Sequence, residues 1–148
     1  MSALEKFNEW GIHFYKPSED QVTLPSDITD IGSEELGRLF TQLTAWTDYI
    51  NSQLTMAQLE ERASLKKKEF LESTMLIRRM GAQAKGERVT AIKAEVAISP
   101  EIIELDNQYE EKYAYRKLVE MLLNNHERDL LLVSREITRR SNDFKRNI

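Results

Sequence analysis

An imidazole can move protons or bind a metal near neutral pH, so His13 and His126 are the first residues to test for chemistry. Neither stands in a metal-ligating pattern. His126 precedes Glu127, but Leu130 occupies the place of the second ligand in a His-Glu-x-x-His helix, and Leu123 stands where a di-iron helix needs a Glu. Both histidines are read as structural. The serines include no Gly-x-Ser-x-Gly elbow, and the glycines at 11, 32, 37, 81 and 86 never cluster into a loop that would cradle phosphates. The pairs Glu34–Glu35, Glu60–Glu61 and Glu110–Glu111 have the side-chain type for acid–base work, but on long polar helices such pairs are solvated, and they are read as surface. There is no cysteine, hence no disulfide, thiolate zinc site or thiol nucleophile. No catalytic residue, metal site or cofactor is expected, and the chain reads as a non-enzyme.

The residues that do suggest a function are cations. The net charge of −4 argues against wholesale attraction to nucleic acid, but the charge is segmented. Residues 1–61 carry a net −8, residues 62–93 a net +6, residues 94–134 a net −5 and residues 135–148 a net +3, so a basic band lies between two acidic stretches. The band comprises Arg62, Lys66, Lys67, Lys68, Arg78, Arg79, Lys85, Arg88 and Lys93. Fixed cations gathered on one surface neutralise phosphates and release counterions, which suffices for non-specific affinity toward a single strand. A competing reading pairs the same cations with Glu69 and Glu72 along one helix and with Glu101 and Glu104 across a hairpin. A second basic cluster, Arg135, Arg139, Arg140, Lys145 and Arg146, lies near the other end.

The elements that must position these cations are helical. Apolar residues make up 41% and charged residues 31% of the 148, with 5 Gly and 3 Pro, a balance that favours long helices over a turn-rich β protein. Gly11, Pro17, Pro25 and Gly32 preclude a long helix in residues 1–32, which read as an N-terminal arm, non-helical or mixed. Within it Ala3 to Trp10 fits two helical turns and Trp10 to Phe14 fits a short extended segment, and its aromatics are expected to dock onto the main body. Ser33, Glu34 and Glu35 form a helix start with a capping hydroxyl, followed by an apolar stripe at Leu36, Phe40, Leu43, Trp46, Ile50 and Leu54. Ala57, Leu65, Phe70, Leu71, Met75 and Ile77 continue it less regularly, predicting a helix over 33–80. Gly81 and Gly86 open a connection over 81–98, where Val89 to Val96 is either a brief helix or irregular. Ser99 as cap and Pro100 at the first helical position start a second helix over 99–141.

Two helices of similar length joined by a short excursion predict an all-α fold, a long antiparallel, coiled-coil-like hairpin over 33–148. The second helix carries its own stripe, Ile102, Leu105, Tyr109, Tyr113, Val119, Leu123, Leu130, Val133 and Ile137, broadened by Leu118, Leu122, Leu131 and Leu132, and this is wider than a two-helix seam needs. Leu118, Leu122, Leu123, Leu130, Leu131 and Val133 are therefore expected at an interface with the arm or with further copies, making the protein a homo-oligomer. Residues 1–16 lack a basic start followed by an apolar run, and no stretch of about eighteen uncharged apolar residues occurs, so a soluble protein without a membrane role is expected.

Over roughly residues 34–140 this layout resembles the UvsY-like recombination mediators of tailed phages. The resemblance is carried by Leu36-Gly37-Arg38-Leu39 to Trp46-Thr47-Asp48-Tyr49 and by Lys66-Lys67-Lys68. It continues through a basic turn and Tyr113-Ala114-Tyr115-Arg116-Lys117-Leu118 to the ending Ser134-Arg135-Glu136-Ile137-Thr138-Arg139-Arg140. It implies a ring-forming helical protein of the bacterial host cytoplasm that binds single-stranded DNA and helps a RecA-like recombinase replace the single-strand-binding protein, consuming no nucleotide. The family's DNA-contacting Lys-Ala-Arg-Leu element has no equivalent. Ser64-Leu65-Lys66-Lys67-Lys68-Glu69-Phe70-Leu71 takes its place, so Lys66, Lys67, Lys68, Arg78 and Arg79 carry over only as a patch. The alternative is a helical adaptor or inhibitor that binds a protein and has no nucleic-acid role, and a virion scaffold is a third, weaker idea.

Overall fold

Two long helices carry the architecture of the computed structural model, which describes residues 2–148. Among the described residues there are, in chain order, four helices, α1 (Ala3–Glu9), α2 (Ser33–Gly81), α3 (Val89–Ala97) and α4 (Pro100–Arg146), with a 3₁₀ turn at Ile28–Asp30. No strand occurs among the described residues. The 49 residues of α2 and 47 of α4 each span about 70 Å at 1.5 Å per residue.

The two pack antiparallel in one register. Arg140 reaches Ser33, Val119 and Leu123 meet Ile50 and Leu54, Arg116 meets Glu61, Asp106 meets Lys68, and Ser99 meets Met75.

The helix ends depart in detail from expectation. Gly32, not Ser33, is the N-cap of α2, and the Ser33 hydroxyl accepts from Arg140 instead of capping. Ser99 is the N-cap of α4 but gives no side-chain cap: its Oγ donates back to the Val96 carbonyl at 2.7 Å. In both cases acids in the first turn, Glu34 with Glu35 and Glu101, remain to complement the helix dipole. α4 also continues past residue 141 to Arg146, because nothing there breaks a helix and Lys145 and Arg146 suit its negative end.

The core sits at the end of the hairpin near Ser33 and Arg140. Leu36, Leu39, Leu43 and Val133 are buried together, with Val22, Leu24 and Ile31 from the chain before α2 packed over them. A second cluster, Ile50, Leu54, Val119 and Leu123, continues the seam. Beyond Ala57 no residue of α2 is buried, and on α4 none is buried between Ile102 and Val119. At the far end α3 folds back, burying Ile92 and Val96.

The expected interface residues divide accordingly. Leu123 and Val133 belong to the hairpin's own core, and Leu122 and Leu130 are half-buried against it, so four of the six are used within the chain. Only Leu118 and Leu131 remain exposed, joined by Met121 and Leu132.

Residues 2–32 run back along the hairpin. Arg140 holds the segment at its base through the carbonyls of Ile28 and Thr29, at 3.2 and 3.4 Å. Further along, Gln21 bonds His126 Nε2 at 3.0 Å, Glu19 bonds Gln42, and Lys16 lies over the Trp46 ring. His126 is thus structural in place: buried, its Nδ1 donates to the Leu122 carbonyl at 2.9 Å, which leaves Nε2 to accept from Gln21. α1 is helical because both ends are capped. Ser2 and Glu5 form a reciprocal capping box, and Gly11, at φ +73°, closes the other end with Ile12 N–H bonded to the Phe7 carbonyl and Gly11 N–H to Asn8. Of the arm's aromatics only Phe7 is buried, with Trp10 and Phe14 edge-on to it, while Trp10 and Tyr15 stay largely exposed.

Candidate nucleic-acid interface

The structure sorts the basic band into paired and unpaired cations. Lys68 turns into the α2–α4 seam and donates to Asp106 at 2.6 Å, a bond that holds its ammonium above the ordinary lysine range. Arg79 binds Glu87 and, at 3.0 Å, Glu95, clamping the loop after α2 to α3. The Glu87 carboxylate also accepts the Ala84 N–H at 2.9 Å, and these bonds hold it below the usual carboxylate range. Lys68 and Arg79 are therefore structural cations, and their partners are Asp106, Glu87 and Glu95 instead of the expected Glu69, Glu72, Glu101 and Glu104.

Arg62, Lys66, Lys67 and Arg78 are exposed on α2 and form no ion pair among the described residues; the same holds for Lys85 and Arg88 in the loop and Lys93 on α3. Helical geometry explains the division. Ser64, Lys68, Leu71 and Met75 recur at the spacing that faces α4, whereas Arg62, Lys66, Phe70 and Ile77 lie on the opposite side. Phe70 and Ile77 are consequently 75% and 74% exposed, not members of the buried stripe. The hairpin's outer face thus presents a large aromatic ring one turn after Lys66 and Lys67, with one exposed carboxylate, Glu69, beside it. The sequence pattern places Phe70 in the apolar stripe; the signal for its exposure is its place immediately after three lysines and Glu69.

The acidic pair Glu60–Glu61 is also not simply surface. Glu61 accepts from the Arg116 guanidinium at 2.7 and 3.1 Å and is held below its ordinary range by it, while Glu60 takes Lys112 at 3.1 Å. These bridges, with Lys68–Asp106, hold the helices together where the apolar seam thins. Near the other end, Glu136 is only 6% exposed and receives both Arg139 and Arg140, which pull its carboxyl down to about 2. The second basic cluster is therefore largely committed to structure: Arg139 and Arg140 are paired, and Arg135, Lys145 and Arg146 remain exposed.

The parts brought together on this face are an exposed ring and unpaired cations on one helix. No group of three or more His, Asp or Glu side chains able to hold a metal occurs among the described residues, and no described helix is long and apolar enough to cross a membrane. The chain matches no family model, and neither a curated protein nor a solved structure is detectably similar to it.

Proposed function

We propose that this protein is a non-catalytic single-strand-binding protein acting as a recombination mediator, which helps a RecA-like recombinase load onto DNA covered by single-strand-binding protein. The observation that carries the binding part is the outer face of α2: Phe70, 75% exposed, flanked by the unpaired Arg62, Lys66, Lys67 and Arg78. Unpaired cations supply the salt-sensitive attraction to phosphates, and an exposed ring supplies a platform on which any base can stack. The mediator role itself rests on the resemblance to UvsY-like proteins. Self-association into a homo-oligomer would use the outer face of α4, where Leu118, Met121 and Leu132 are exposed, because Leu123 and Val133 are already buried within the chain.

The test is anisotropy of a labelled single-stranded oligonucleotide at low and moderate salt, with wild type against a Lys66→Glu/Lys67→Glu variant. Lys68 is left intact, since its loss would break the Asp106 bridge. Binding that weakens with salt and is lost in the variant is the expected result; no binding at low salt, or no difference between the proteins, rejects the reading. For the mediator role, adding the protein to a recombinase on a strand covered by single-strand-binding protein should raise the recombinase's DNA-dependent ATP hydrolysis. Light scattering gives the assembled mass.

The exposed apolar strip on α4 equally favours a second reading, a helical adaptor that binds a protein through that face. It predicts a complex that survives the Lys66→Glu/Lys67→Glu change.

A further inference from the structure

Where α1 rests on α2 the surface opens into a groove of about 750 Å³. One wall is aromatic: Phe7 is buried, and Trp10, 64% exposed, stands beside it with ring centroids 6.2 Å apart in an edge-to-face pair. The other wall belongs to α2, where Leu59 and Ala63 line the groove beside Arg62 and Lys66. Lys6 and Lys112 bring the cations to four. The single carboxylate in the lining, Glu60, is already bonded to Lys112 at 3.1 Å.

A pocket of this size accommodates a small planar group, and its chemistry selects which. An aromatic wall with an apolar floor takes a flat, uncharged ring, while three cations without carboxylate partners at the rim take anions attached to that ring. A nucleobase with its flanking phosphates has both parts. Lys66 belongs to this groove and also to the outer face of α2, and Arg62, Lys66 and Phe70 follow one another at four-residue steps along one row of the helix. The groove is therefore continuous with the face that leads toward Arg78.

We propose that the groove is a nucleobase seat, in which an unstacked base of a single strand lies against Trp10 and its flanking phosphates meet Lys6, Arg62 and Lys66. From there the strand continues along α2 over Phe70. This rests on the single-strand-binding reading and adds to it a specific seat, built in part by the N-terminal segment.

Trp10 reports on the seat directly, since the other tryptophan, Trp46, is buried. The full chain is titrated with an oligothymidylate of about 12 nucleotides, with an abasic sugar-phosphate strand of the same length, and with polyglutamate. Tryptophan fluorescence and affinity are read for wild type, Trp10→Ala and Trp10→Phe. Circular dichroism checks that the exposed substitutions leave the helices intact. The expected result is fluorescence quenching by oligothymidylate, loss of that quenching and roughly tenfold weaker binding in Trp10→Ala, and near-complete rescue in Trp10→Phe. The abasic strand should bind wild type and Trp10→Ala equally, and more weakly than oligothymidylate binds wild type. Oligothymidylate affinity unchanged in Trp10→Ala, an abasic strand that binds wild type as tightly as oligothymidylate, or displacement by polyglutamate at equal charge overturns the seat. Binding abolished by Lys66→Glu/Lys67→Glu but untouched by Trp10→Ala removes the seat and leaves the single-strand reading standing, whereas no wild-type binding at low salt removes both.

Discussion

Between Ser33 and Ala57, α2 buries nine residues, and between Gln58 and Gly81 it buries none, although the same partner helix runs beside it throughout. The difference lies in what else is present. At the basal half a third layer, Val22, Leu24 and Ile31, closes over the seam and Arg140 pins it there. The distal half has α1 against it only over Leu59 to Lys66 and α3 only at the tip, and a two-helix seam covers only one stripe of each. Charge pairs replace apolar burial there: Glu60–Lys112, Glu61–Arg116 and Lys68–Asp106. Exposed pairs contribute little, so the better-shielded Arg116–Glu61 bridge is the main polar tie of the distal half. The comparison separates two tasks, with stability concentrated at the base and an open, charged surface maintained distally.

The largest effect should come from Leu43→Ala, at a side chain with no exposure in the basal core. A loss of about 3 kcal/mol in denaturant unfolding is expected, against less than ~1.5 kcal/mol for Leu65→Ala at the half-buried distal seam. Equal losses would break the comparison. Arg140→Ala comes next, because it leaves the carbonyls of Ile28 and Thr29 without their donor and Glu136 with one arginine fewer, a cost of about 1–3 kcal/mol. Amide exchange across residues 19–31 should speed up before the hairpin itself opens; unchanged protection would show that the third layer is held by packing alone.

Acid should act on the base through Glu136. Its folded pKa of about 2, lowered by Arg139 first and Arg140 second, lies below the unfolded carboxylate value. Its contribution is therefore complete above about pH 5 and is lost as pH falls toward 2. Glu136→Gln should flatten that part of the stability profile, and a wild-type slope in the variant would remove Glu136 as its source. Glu61, lowered by Arg116, adds a loss of the same sign in the distal half. The smallest effect on folding is expected from Phe70→Ala, within ~0.5 kcal/mol of wild type because the ring is exposed. The same change should weaken oligonucleotide binding by about 1–3 kcal/mol. A large stability loss on this substitution would place Phe70 in a packed interface instead.

The two long helices were readable because their causes are local. The three- and four-residue recurrence of Leu36, Phe40, Leu43, Trp46, Ile50 and Leu54, Pro100 at a first helical position and the glycines at 81 and 86 each act within a few residues. The same local patterns misplaced Phe70 and Ile77. An apolar residue fixes helical character, but which way it points forty residues along depends on where the partner helix lies, and an ideal helix drifts about 20° per heptad from a strict seven-residue repeat. Leu123 and Val133 show the converse: the broad stripe of α4 predicts a partner beyond α2, and the chain before α2 helps to cover the core to which Val133 belongs.

By itself the sequence determined an all-helical chain with two long elements, an excess of cations between residues 62 and 93, and no pattern for catalysis, since composition, periodicity and motif spacing are properties of neighbours along the chain. Which cations are spent on Asp106, Glu87 and Glu95 and which stay free was decided only in three dimensions. So was the meeting of Trp10 with Lys66 across fifty-odd residues of sequence. An ion pair or a groove needs two surfaces at a fixed separation, and that separation is set by the antiparallel register and by the return of the N-terminal segment along it.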